Sequence, residues 1–96
     1  MAAKPNATVC GIPVKLGGTL TREVPHYGVI QHRAIGKPDA RKLLAATHNR
    51  TRLPRPGHTV PLCGDLWLTS MSGSLQVEKL GPGEFRGARA RRRHVR

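Results

Sequence analysis

The sequence predicts a small α+β domain of short antiparallel strands with one amphipathic helix, followed by an Arg-rich C-terminal tail that is disordered or ordered only on a partner. Three observations carry this. Apolar and polar residues alternate in several short runs, one central stretch shows helical spacing, and eight prolines with eleven glycines interrupt anything longer. With 96 residues, 38% of them hydrophobic and 3% aromatic, the chain supplies one small core. The expected organisation is a domain over residues 1–85, with a basic Pro-rich linker at 50–58, and a tail over 86–96.

The first strand is read from Cys10, Ile12, Val14 and Leu16, which alternate with Gly11, Pro13 and Lys15. Pro13, on the outward side, argues for a sheet edge, because proline cannot donate to a ladder. Gly17-Gly18 offers a turn, and a three-residue loop of Gly17, Gly18 and Thr19 sets Leu20 opposite Leu16 and Val24 opposite Ile12. Pro25 ends that arm; Tyr27, Val29 and Ile30 then form a third strand or a packed loop.

A helix is expected from Pro38 to Asn49. Proline suits the first helical turn, Asp39 sits at the positive end of the dipole, and His48, Asn49 and Arg50 gather at the negative end. Ala40, Leu43, Leu44 and Thr47 share one face by i, i+3, i+4 spacing, while Arg41, Lys42 and His48 look elsewhere. In the linker Pro54 and Pro56 enforce extended backbone, so Arg50, Arg52 and Arg55 project their charges.

Beyond the linker, Val60, Leu62, Leu66 and Leu68 read as one strand with a kink or bulge at Gly64-Asp65. A turn over Ser70 to Gly73 then pairs Leu68 with Leu75 and Leu66 with Val77. Trp67, the largest apolar side chain, is expected in the core, since a chain this poor in aromatics can hardly leave it exposed.

Charge bounds the function. Seventeen Lys and Arg against five Asp and Glu give +12 at neutral pH, a self-repulsion best tolerated when an anionic partner neutralises it. The tail places Arg86, Arg89, Arg91, Arg92, Arg93 and Arg96 in eleven residues that hold no acid. Guanidinium is permanently charged and grips phosphate through a bidentate fork, so these six form one candidate nucleic-acid-binding cluster. Arg41, Lys42, Arg50, Arg52 and Arg55 form a second, which joins the first if helix and linker lie on one side. With one Trp, one Tyr and one Phe there is no stacking platform, so backbone contacts outweigh base readout.

The sequence offers little for catalysis or metal. Glu23, Asp39, Asp65, Glu78 and Glu84 are scattered singly, and Cys63 with His58 is an isolated nucleophile and base pairing. Cys10, His26, His32, His48, His58 and Cys63 lack the tight spacing of a structural zinc site, so neither metal nor cofactor is expected. Gly17-Gly18 and Gly81-Pro82-Gly83 lack the context of phosphate-binding loops and read as turns. No apolar run approaches the roughly 20 residues of a spanning helix, and the start MAAKPNATVC lacks the apolar stretch of a secretory signal. An intracellular, non-secreted protein, soluble or within a particle, is the expectation, with Cys10 and Cys63 as reduced core thiols and the Asn6 and Asn49 glycosylation patterns as chance matches.

The expected function is that of a non-catalytic structural component, of ribosomal or packaging accessory type. It belongs to a larger complex and holds a nucleic acid, RNA ahead of DNA, without a membrane. The competing reading is an interaction protein ordered on an acidic protein assembly such as a filament, microtubule lumen or virion shell.

Overall fold

A two-residue turn starts the fold in the computed structural model, which describes residues 4–26 and 28–81. Strand β1 (Ala7–Val9) meets β2 (Ile12–Val14) with Val9 opposite Ile12, and the intervening Cys10 and Gly11 take φ of 53° and 81°. Positive φ at both central positions gives a type I′ turn, whose twist matches that of the strands it joins. Pro13 is exposed on this two-stranded ribbon, where the missing N–H costs no ladder bond.

The ribbon changes the expected register. β2 pairs backwards with β1, so β3 (Leu20–Val24) is free to pair instead with β4 (Gly28–Ile35), Leu20 opposite His32 and Val24 opposite Gly28. Gly17-Gly18 is therefore the passage between two sheets. Gly17 N–H donates to the Ala34 carbonyl at 2.9 Å, and a Cβ on Gly17 would stand 3.4 Å from that of Ala34. The two backbones run close here, near enough that a side chain at residue 17 would lie in contact with Ala34.

Helix α1 (Lys37–His48) follows, with Pro38 in its first turn and Asn49 at φ 55°, ψ 40°, the left-handed closure. Ala40, Leu43 and Leu44 are buried, and Thr47 returns its hydroxyl to the Leu43 carbonyl at 2.8 Å. The helix matches the expected span to within one residue at each end.

Val60 and Leu66 belong to two strands, not to one kinked strand, and Leu62 lies just beyond the first. β5 (Thr59–Pro61) and β6 (Leu66–Met71) are an antiparallel pair, closed where Leu62 N–H meets the Leu66 carbonyl at 2.9 Å and Leu66 N–H the Cys63 carbonyl at 3.0 Å. β7 (Ser74–Leu80) returns beside β6 with Leu68 opposite Val77 and Ser70 opposite Leu75. That register lies two residues from the expected one, on the same faces, because the turn tightens to Ser72-Gly73.

The result is an α+β domain with a five-stranded antiparallel sheet in the order β3-β4-β7-β6-β5. The ribbon and α1 cover one face. Val9, Val14 and Leu16 from the ribbon side, Leu43 and Leu44 from α1, and Ile35, Leu66, Leu68, Leu75 and Val77 from the sheet form one core.

Trp67 is not in that core. Period-2 alternation sends Leu66 and Leu68 inward, which forces Trp67 to the opposite face, half-buried between Pro61 and Glu78 on neighbouring strands. No described element covers this outer face, where Leu20 is 61%, Met71 46% and Leu80 39% exposed.

The reduced-thiol reading is also corrected: Cys10 and Cys63 form a disulfide, their Cα atoms 5.9 Å apart. One sits at the tip of the ribbon and the other in the β5–β6 turn, two loops that meet at one end of the core. A separation of 53 residues carries no pairing information, so only the topology shows it.

Candidate nucleic-acid interface

Arg41 and Lys42 stand on α1 opposite the Ala40, Leu43 and Leu44 face, and both are exposed. Asp39 shapes this end of the helix: its Oδ1 lies 3.5 Å from Lys42 Nζ, and its Oδ2 accepts the Lys15 N–H at 2.9 Å. One carboxylate thus ties the ribbon to the helix and partly neutralises Lys42. At the other end, Asn49 N–H reaches the Ala45 carbonyl at 3.1 Å and His48 Nε2 contacts the Pro61 carbonyl, fixing where the chain leaves the helix.

Arg50, Arg52 and Arg55 follow directly, all exposed. Their segment is docked on the domain. Leu53 packs against the core, Pro54 is half-buried, His58 N–H closes a turn on the Arg55 carbonyl at 3.0 Å, and Gly57, at φ 87°, donates to Ser70 at 2.7 Å. Leu53 turns inward while Arg52 and Arg55 stay in solvent, so a segment read as a linker presents its arginines from a fixed base.

Among the described residues none of Arg41, Arg50, Arg52 and Arg55 has a carboxylate within 4.0 Å. All five cations of the helix and the linker are exposed, Arg41 and Lys42 on α1 and Arg50, Arg52 and Arg55 on the segment that follows it. The six tail arginines, Arg86, Arg89, Arg91, Arg92, Arg93 and Arg96, lie outside the described residues.

Other cations hold structural posts that the sequence did not signal. Arg33 Nε donates to the Gly17 carbonyl at 2.7 Å, and Arg22 lies 3.9 Å from Glu78 across the open sheet face. Lys37 lines an open cleft of about 480 Å³ with Ile35, Leu53, Pro54, Met71 and Leu75, at the start of α1.

The disulfide removes Cys63 as a nucleophile beside His58. Among the described residues no three of His, Cys, Asp and Glu gather closely enough to hold a metal ion, and no helix is long and apolar enough to cross a membrane. Asn6 and Asn49 both serve the fold, the first through hydrogen bonds to Leu16 and the second as the helix closure. Comparison with protein-family models, with curated proteins and with solved structures yields no match to this chain.

Proposed function

We propose that this protein is a non-catalytic structural component that holds a nucleic-acid phosphate backbone, RNA ahead of DNA, through its arginine clusters. The observation that carries this reading is the run of Arg41, Arg50, Arg52 and Arg55, exposed and without a carboxylate partner among the described residues. Unpaired guanidinium groups on a docked base meet phosphates without first breaking an internal ion pair or ordering a loop. Backbone contact of this kind positions a partner without reading its sequence.

The test is binding of an RNA duplex as a function of salt. Each phosphate contact contributes about 0.9 to the slope of log affinity against log salt, so replacing Arg41, Lys42, Arg50, Arg52 and Arg55 with Gln should lower it by about 4.5 if all five meet phosphates. Deleting residues 86–96 should weaken binding across all sequences. Unchanged affinity and slope in both variants would overturn the proposal.

A second reading, docking on a protein assembly, is favoured by the uncovered sheet face with Leu20, Met71, Leu80 and Trp67, and the net charge of +12 would make that assembly an acidic one. Copurified material separates the two: nuclease removes the partner in the first case and leaves it in the second. The reduced-thiol expectation rests on the intracellular address, and the disulfide tells against that address.

A further inference from the structure

The five cations just described, Arg41, Lys42, Arg50, Arg52 and Arg55, all lie between Cys10 and Cys63, inside the covalent loop that the disulfide closes. The ribbon at the head of that loop is a sheet of its own. Its backbone joins the five-stranded sheet at the Leu16–Ile35 bridge and the neighbouring Gly17–Ala34 hydrogen bond, both at the end of the ribbon far from its tip. At the tip, the covalent bond to Cys63 is the anchor. Beneath the ribbon, Val9 and Val14 are 0% and 1% exposed and share the core with Leu43 and Leu44 of α1.

We propose that the Cys10–Cys63 disulfide is a redox-sensitive clasp. Closed, in an oxidising compartment, it locks the ribbon over the core and fixes the cationic surface of α1 and the linker; opened, it releases both. The second part rests on the polyanion reading above, whereas the first stands on the packing alone. Opening is a two-electron reduction by a dithiol: the S–S bond breaks, two electrons and two protons pass to the sulfurs, and the dithiol is oxidised to its own disulfide. The ribbon then lifts from its tip, uncovers Leu43 and Leu44, and carries Lys15 away from Asp39, the residue that also holds Lys42. A small core that has lost part of its cover cannot keep α1 in place.

The experiment uses the full chain purified without reductant. Alkylation of the denatured protein should find no free thiol; two alkylated cysteines would overturn the clasp. Hydrogen exchange with and without dithiothreitol should then show faster exchange at residues 7–14 and 43–44 after reduction, with the melting temperature down by about 15 to 30 °C for a loop this long. The double variant Cys10→Ser, Cys63→Ser should melt with the reduced protein; melting with the oxidised protein overturns the proposal. Binding of an RNA duplex by the oxidised and reduced forms completes the test. If the oxidised form binds and its salt slope survives reduction, the coupling is wrong. If the oxidised form does not bind at all, the polyanion reading fails while exchange still judges the clasp.

Discussion

The Asn6 side chain holds both backbone groups of Leu16: its Oδ1 accepts the Leu16 N–H at 2.8 Å and its Nδ2 donates to the Leu16 carbonyl at 2.9 Å. Leu16 is 2% exposed, so these groups have little access to water. Asn6→Ala removes both bonds at once and should cost about 1 to 3 kcal/mol. Asn6→Asp keeps the acceptor and loses the donor, so its cost should fall between wild type and alanine. Urea denaturation of the three proteins checks the order, and equal stability of all three would refute it.

Leu68 and Trp67 are neighbours in sequence on opposite faces of β6. Leu68→Ala opens a cavity in a fully buried core position and should cost about 2 to 5 kcal/mol. Trp67→Ala, half-buried on the outer face, should cost less than Leu68→Ala, and Trp67 fluorescence in the folded protein should be quenched by acrylamide. A larger loss from Trp67→Ala, or a tryptophan shielded from quencher, would return that ring to the core.

Asn49 closes α1 in the left-handed region, which β-branched residues resist. Asn49→Val should lower stability by about 1 to 2 kcal/mol, and Asn49→Gly should stay within about 1 kcal/mol of wild type. Thermal melts followed at 222 nm read the difference.

Arg52 and Leu53 separate binding from folding within one dipeptide. Arg52→Ala should leave the melting temperature unchanged and reduce the salt slope for an RNA duplex by about one. Leu53→Ala should loosen the segment from the core and lower the melting temperature. If Arg52→Ala destabilised the fold as much as Leu53→Ala, the division of labour would be wrong.

The parts of this fold that were legible in the sequence are those governed by local periodicity. The 3.6-residue spacing of Ala40, Leu43 and Leu44 located α1 and its buried face, and the alternation of Leu66, Leu68, Leu75 and Val77 located the inner face of β6 and β7. Pairing choices were not local. Cys10-Gly11 turned the chain one hairpin earlier than Gly17-Gly18 suggested, since a cysteine at positive φ is an uncommon turn residue. Size alone points Trp67 inward, but alternation decides its face, since its two leucine neighbours already claim the core. Of the candidate site, the helix and linker cations were readable as exposed charge, but their fixed base depended on Leu53, a single apolar residue among arginines and prolines.

The Cys10–Cys63 bond also decides how the molecule bears tension. A pull applied beyond Cys10 at one end and beyond Cys63 at the other passes straight across the bond and bypasses β2, β3, β4, α1 and β5. The 53 residue steps between the cysteines, worth about 180 Å of contour length at roughly 3.4 Å each, stay hidden from the force. An unfolding machine that draws the oxidised chain through a narrow channel from its N-terminus must accept a double-backed loop at Cys10, or stall there until a reductant cuts it.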